Sequence, residues 1–195
     1  MHGRGGQGVV TAAELLALAA FHDGKAAQAF PSFGSERTGA PVTAFCRIDA
    51  QPIRSREPIF HPDVLLIQDS TLLHQVDVFA GLAASAVVLL NSTRNVEALR
   101  LTDFVTQHPK VQMYTLPASE LALKHLGRPF ANIGMVAGFA ALTGAVTKAS
   151  VNQAIKEKFP GRIGELNASV AAEMYDYVAA NLAKASVHRG INRSP

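Results

Sequence analysis

The sequence predicts a three-layer α/β fold: a mainly parallel, Rossmann-like sheet with helices on both faces and a helical C-terminal part. Short apolar segments at 63–69, 85–92 and 111–117 alternate with helix-length segments, a pattern typical of parallel strands buried on both faces. The chain has 195 residues, of which 48% are hydrophobic, enough for one core. We therefore expect one domain over residues 1–186, followed by a flexible tail over 187–195, where periodicity is lost.

The individual elements follow from periodicity and from turn residues. Apolar side chains recur at helical spacing after residue 8, and Asp23-Gly24 ends that pattern. Pro160-Gly161 separates the last two helical segments. The predicted strands cover 25–30, 42–49, 63–69, 85–92 and 111–117. The predicted helices lie over or near 9–22, 71–82, 95–107, 118–126, 130–146, 150–158 and 163–184.

Composition excludes several classes of function. The net charge is +3, the basic residues are spread along the chain, and tryptophan is absent, which argues against a nucleic-acid surface. The single cysteine, Cys46, cannot form a disulfide framework, an iron–sulfur site or a cysteine-based zinc site by itself. The histidines form no metal-binding motif, so no metal site is expected. Neither a membrane span nor a signal peptide is present in the pattern, which predicts a cytoplasmic protein.

The sequence HGRGGQG at residues 2–8 is the first candidate site. Gly3, Gly5 and Gly8 have the G-x-G-x-x-G spacing, and Gly6 adds a fourth residue without a Cβ. Such a loop lets the backbone approach a ligand, and the following helix offers free N–H groups to phosphate. Its candidate ligand-binding residues are Gly3, Arg4, Gly5, Gly6, Gln7 and Gly8.

Two familiar versions of this loop do not fit. A dinucleotide site needs an acidic residue at the end of the second strand, but that strand ends at Ala29-Phe30-Pro31, and Asp23 reads as a turn former. The Gly-Lys-Ser/Thr sequence of a Walker A loop is also absent. The remaining interpretations are a phosphate-binding loop of another kind and a tight strand–helix turn without a ligand.

Two further groups of residues are candidates for ligand contacts. Ser35, Glu36 and Arg37 lie in the glycine-framed loop SFGSERTGAP, where Arg37 could grip phosphate and Glu36 could hold the guanidinium in place. The alternative is a solvated surface loop. Asn132 stands at a predicted helix start, where it would either cap the helix or contact a ligand. No nucleophile elbow or placed base is visible, so no catalytic residue is expected in this chain.

These segments resemble a known family, the gamma subunits of 2-oxoacid:acceptor oxidoreductases. GRGGQGVVTAAELLALAA, DGKAAQAFPSFGSERTGAPVTAFCRI, PDVLLIQDSTLL, VVLLNST and ANIGMVAGFAAL carry the resemblance, over about residues 3–180. Members of the family have a longer strand before the glycine loop, whereas only Met1 and His2 precede it here. We therefore expect either a late-assigned start codon or a truncated first strand.

The resemblance implies a subunit of an enzyme that converts a 2-oxoacid, coenzyme A and an oxidised acceptor into acyl-CoA, CO2 and reduced acceptor. Coenzyme A would contact the glycine loop, Ser35-Glu36-Arg37 and Asn132. Thiamine diphosphate and magnesium would lie on alpha and beta subunits, and Fe–S clusters on a delta or ferredoxin-like subunit. The alternatives are a non-catalytic scaffold of the same complex and a free-standing dinucleotide-binding oxidoreductase. The sequence does not specify the 2-oxoacid or the acceptor.

Overall fold

A computed structural model describes residues 1–32, 38–55 and 57–191, with side chains described up to residue 182. Its six-stranded sheet has the order β2-β3-β1-β4-β5-β6. The pairs β1–β4, β4–β5 and β5–β6 are parallel, while β3 runs antiparallel to both of its neighbours. The strands are β1 His2–Arg4, β2 Ala26–Pro31, β3 Pro41–Asp49, β4 Val64–Ile67, β5 Val87–Asn91 and β6 Gln112–Leu116.

The helices agree with the predicted pattern at most positions. They are α1 Val9–His22, α2 Thr102–Gln107, α3 Ala118–Leu126, α4 Asn132–Thr143, α5 Lys148–Lys158 and α6 Arg162–Ile191. Helix α6 continues past its predicted end, so residues 187–191 of the expected tail are helical. Within the described part of the chain, none of the helices has the length and apolarity needed to cross a membrane.

Two predicted helices are wrong. The helix expected near 71–82 is only a short 3-10 helix, Ser70–His74, because the Asp77 carboxylate accepts a hydrogen bond from the Phe79 N–H at 3.2 Å and turns the chain. The helix expected near 95–107 is reduced to α2. Asn95 forms a similar local bond to the Ala98 N–H at 2.9 Å, and Arg100 has a φ of 59°, which no helix accommodates.

The core is divided by the sheet into two halves, which confirms the three-layer fold. Leu66 on β4 packs toward α1 and α4, whereas its neighbours Leu65 and Ile67 belong to a separate cluster with Leu72 and Val78. Adjacent residues of a strand point to opposite faces. The sheet is therefore covered by α1 and α3–α6 on one side, and by the 3-10 helix and α2 on the other.

Helix α4 packs closely against the sheet and against α3 at two of its glycines. A Cβ at Gly138 would collide with a methyl group of Leu116 on β6, and a Cβ at Gly134 would lie 2.8 Å from the Ala118 Cβ. Contacts this short force a neighbour to move. The glycines thus fix the position of α4 and of Asn132 at its first residue.

The substitution Gly138→Ala tests this packing. Alanine normally stabilises a helix interior by about 1 kcal/mol relative to glycine, but overpacking against Leu116 should lower the free energy of unfolding by about 1–3 kcal/mol. Urea denaturation of the wild-type and variant chains measures the difference. A more stable variant would contradict the close approach of α4 to β6.

Candidate functional site

The candidate site lies where parallel strands β1 and β4 end side by side. After β1 the chain runs through the glycine loop into α1 on one face of the sheet, and after β4 it enters the 3-10 helix on the other face. Ligands of open α/β sheets bind in the crevice outside the carboxyl ends of strands at such a reversal. The topology therefore places the glycine loop at the position expected for a ligand site.

The glycine loop leaves the start of α1 available to a ligand. Gly6 and Gly8 have φ values of 93° and 73°, which favour residues without a Cβ. Gly8 is the N-cap of α1, and no described side chain caps this end. The first hydrogen bond of the helix runs from the Ala12 N–H to the Gly8 carbonyl at 2.9 Å. The N–H groups between Gly8 and Ala12 therefore have no carbonyl partner within the helix. Such an end attracts anions.

Asn132 lies directly against this loop. A Cβ at Gly8 would be 2.5 Å from the Asn132 Nδ2 atom, so only glycine permits the contact. Asn132 is 8% exposed, and its side chain has no hydrogen bond to a described residue. It is the first residue of α4 and does not cap that helix. The capping interpretation is thus wrong, and a buried carboxamide stands next to the start of α1.

The guanidinium of Arg4 is hydrogen-bonded to other groups of the protein. Its Nε donates to Asp69 Oδ2 at 3.0 Å, and its Nη1 donates to the Gly39 carbonyl at 3.0 Å. Its Nη2 donates to Thr71 Oγ1 at 2.7 Å and to Gln75 Oε1 at 2.8 Å. Arg4 therefore ties the glycine loop to the 3-10 helix and to the segment before β3.

Gln7 completes this network, and Asp69 is its centre. Gln7 Nε2 donates to Asp69 Oδ2 at 2.9 Å, while Gln7 Oε1 accepts from the Arg4 backbone N–H at 2.8 Å. Burial alone would raise the pKa of Asp69, but hydrogen bonds from Thr71 and Gln7 and the charge of Arg4 keep that pKa below its usual value. Asp69 is not part of the sequence motifs that predicted the site, although its place two residues after the buried strand β4 was an available signal.

The second candidate loop can be located only at its flanks. Ser35, Glu36 and Arg37 lie outside the described residues, within 33–37. On the C-terminal side, the Gly5 N–H donates to the Ala40 carbonyl at 2.9 Å and the Gly39 N–H donates to the Gly5 carbonyl at 3.0 Å. The segment that follows the loop is thus hydrogen-bonded to the glycine loop.

A pocket of about 520 Å³ opens beside the glycine loop. It lies between the start of α1, the connection from α3 to α4, and the start of α6. Arg128, which sequence reasoning did not single out, lines it and is exposed. The other lining residues are Gly6, Gln7, Gly8, Thr11, Leu126, Phe130, Asn132, Phe159, Ile163, Leu166 and Asn167. A larger cleft of about 1130 Å³ is lined in part by residues 52–55 and 58–62 and includes none of the loop glycines.

Asp23, the acidic residue considered for ribose binding in a dinucleotide site, has another role. Asp23 accepts hydrogen bonds from the backbone N–H and the hydroxyl of Thr147, both at 2.7 Å, and from the Ser150 hydroxyl. It therefore anchors the start of α5, as a turn and cap residue would. Among the described residues, no three His, Cys, Asp or Glu side chains come together as a metal site would require.

Comparison with known proteins shows what this chain is similar to. The family model "Pyruvate ferredoxin/flavodoxin oxidoreductase" matches residues 1–177. Pyruvate synthase subunit PorC of Methanothermobacter thermautotrophicus is 49% identical over 177 residues, which cover 91% of this chain and 93% of the relative. The pyruvate/ketoisovalerate oxidoreductases common subunit gamma of Pyrococcus furiosus is 46% identical over 175 residues, with coverages of 90% and 93%.

A solved structure agrees with these sequence relatives. The crystal structure of the pyruvate oxidoreductase subunit PORC from Thermotoga maritima superposes with a TM-score of 0.75 at 30% identity, covering 90% of this chain and 92% of that chain. The resemblance seen in the sequence motifs is thus confirmed by sequence and by fold.

The substitution Asp69→Asn tests the network that holds the glycine loop. Removing the charge weakens the bonds from Arg4 and Gln7, so we expect the free energy of unfolding at pH 7 to fall by about 1–3 kcal/mol. Asp176→Asn is the matched control, because Asp176 is exposed on α6 and should change stability little.

The same pair of variants has a defined pH dependence. The pKa of folded Asp69 lies below its ordinary value of 3.8, so its stabilisation is present above that value and is lost as the pH falls through the lower, folded value. The stability difference between wild type and Asp69→Asn should therefore narrow below about pH 4. Urea denaturation from pH 7 to pH 3 measures it, and a difference independent of pH would refute the role of the Asp69 charge.

Proposed function

This chain belongs to the pyruvate ferredoxin/flavodoxin oxidoreductase family and is a gamma subunit of a multi-subunit 2-oxoacid:ferredoxin oxidoreductase, and from that premise we propose that it binds coenzyme A. In the reaction, a 2-oxoacid, coenzyme A and oxidised acceptor give acyl-CoA, CO2 and reduced acceptor. Thiamine diphosphate with magnesium would act on alpha and beta subunits, and Fe–S clusters on a delta or ferredoxin-like subunit would carry the electrons away.

The observation that carries this proposal is the set of hydrogen-bonding groups at the start of α1 that have no partner among the described residues. The helix end has no described side-chain cap, and the buried Asn132 carboxamide beside it has no hydrogen bond to a described residue. Both border a pocket of about 520 Å³. Coenzyme A carries a pyrophosphate and a 3′-phosphate, and helix N–H groups bind such anions well. Gly6 and Gly8 line the pocket and let the ligand approach the backbone. Gly3 packs closely against Val9, and Gly5 bonds to the segment before β3, so these two glycines would shape the loop.

Arg4 and Gln7 would act as positioning residues for this ligand. Their side chains bond to Asp69 and hold the loop in shape. Ser35, Glu36 and Arg37, which follow from the resemblance, would add contacts from the neighbouring loop, whose flank at Gly39 and Ala40 is bonded to Gly5. The chemistry of decarboxylation would take place on the partner subunits, so the work of this chain is to bind coenzyme A and to present its thiol to them.

A second role in assembly is supported by the surface of the chain. Charged residues make up only 17% of the sequence, below the roughly 25% of average soluble proteins. Large apolar side chains are exposed, among them Phe21 at 71% and Phe60 at 67%. Surfaces of this kind commonly become buried in a complex. We propose that they contact other subunits, and that a purely structural subunit is the alternative to the coenzyme A role.

The substitution Asn132→Ala separates the two roles. If Asn132 donates to a phosphate of coenzyme A, its loss should raise the KM for coenzyme A about 5-fold, equivalent to about 1 kcal/mol, with the complex still assembled. Asn181→Ala, on the exposed side of α6, is the control and should leave the KM unchanged. Initial rates of acyl-CoA formation by the purified complex give both values. An unchanged KM in a fully assembled Asn132→Ala complex would favour the purely structural role.

A further inference from the structure

We infer that the pocket beside the glycine loop contains a second phosphate subsite, in which Arg128 binds the 3′-phosphate of coenzyme A. This inference rests on the proposed binding of coenzyme A to this chain. It assigns a residue that the sequence motifs do not include, and it divides the phosphates of the ligand between two walls of one pocket. The start of α1 and Asn132 would take the pyrophosphate, and Arg128 would take the phosphate on the ribose.

The first observation is the position and the freedom of the Arg128 side chain. Arg128 lies on the connection from α3 to α4, directly after Gly127, which ends α3 with a φ of 67°. It lines the same pocket as Gly8 and Asn132. Arg128 forms no ion pair or hydrogen bond with a described residue, whereas Arg47 donates to the Glu57 carbonyl at 2.6 Å. Arg128 thus brings an unneutralised guanidinium to the pocket.

The second observation is the apolar wall next to Arg128. Phe130 and Ile163 line the pocket and are 39% and 60% exposed, although both side chains are large and apolar. Leu166 extends this wall along α6. An open apolar surface beside a cation suits an adenosine, because the purine ring packs against apolar side chains while the phosphate remains with the cation. The wall therefore favours a nucleotide over free phosphate in this part of the pocket.

A polar group on α6 completes the subsite. Asn167 is 5% exposed, and its Nδ2 donates to the Ile163 carbonyl at 2.9 Å within the helix. Its Oδ1 has no hydrogen bond to a described residue and belongs to a side chain that lines the pocket. This oxygen is an acceptor of the kind that an adenine amino group or a ribose hydroxyl needs. Cation, apolar wall and acceptor thus line the same pocket as the start of α1.

The charge of the 3′-phosphate explains why an arginine is suited to this subsite. A terminal phosphate carries close to two negative charges at neutral pH. In the linking pyrophosphate, each phosphate group carries only about one negative charge. A guanidinium can bind a terminal phosphate with two parallel hydrogen bonds, while helix N–H groups suit the pyrophosphate. The division predicts that Arg128 distinguishes coenzyme A from dephospho-coenzyme A, which lacks only the 3′-phosphate.

The test uses the purified complex and both forms of the coenzyme. Arg128→Ala should raise the KM for coenzyme A about 10- to 100-fold, leave kcat unchanged, and leave the KM for dephospho-coenzyme A unchanged. Arg128→Lys should restore part of the affinity, because it keeps the charge but loses the two-bond geometry. Arg94→Ala, at an exposed arginine outside the pocket, is the control.

Other outcomes of these measurements would overturn the Arg128 assignment or the proposed function. Equal increases of both KM values in Arg128→Ala would overturn the assignment to the 3′-phosphate, and so would an unchanged KM for coenzyme A. If Asn132→Ala raises the KM for coenzyme A but Arg128→Ala does not, only this inference fails. If neither variant changes that KM in an assembled complex, the proposed binding of coenzyme A to this chain fails with it.

Discussion

The hydrogen-bonded ion pair between Arg4 and Asp69 is the interaction on which the site depends. Arg4 is the last residue of β1 and Asp69 follows β4, and the 3.0 Å contact between these residues, 65 positions apart in the sequence, joins the ends of the two strands. Through Gly39 the same guanidinium also holds the segment before β3. A loop that contains four glycines would otherwise sample many conformations. With its two long side chains engaged by Asp69, the loop presents its backbone instead of its side chains to the pocket.

Several polar groups without a partner among the described residues lie at this edge of the sheet, while the buried Tyr175 hydroxyl on α6 is another such group. The carboxamide of Asn132 has no hydrogen bond to a described residue, and that of Gln68, which follows β4, is buried without a partner. The start of α1 has no described side-chain cap. By contrast, Thr147 caps α5 and is itself bonded to Asp23. Buried polar groups are normally paired, and exceptions call for an explanation. Binding of a phosphate-rich ligand in the crevice supplies one for Asn132 and α1.

Local patterns predicted most of the fold but less of the site. Periodicity located α1 and α3 at their observed bounds, because the apolar residues that each helix buries recur at helical spacing within its own segment. It failed near 71–82 and 95–107, where turns at Asp77 and Asn95 compete with the helix. Glycine spacing and a helix-start Asn found the loop and Asn132. The engagement of Arg4 and the approach of Arg128 to the loop depend on distant segments of the chain, so no short motif contains them.

The proposed function requires that the start of α1 bind the pyrophosphate of coenzyme A in the assembled enzyme. An electron cryo-microscopy map of the purified complex with coenzyme A tests this binding. We expect density for the pyrophosphate within hydrogen-bond distance of the N–H groups that follow Gly8, with Asn132 beside it and the Arg4–Asp69 contact intact. Coenzyme A bound to the complex with no density in this crevice would contradict it.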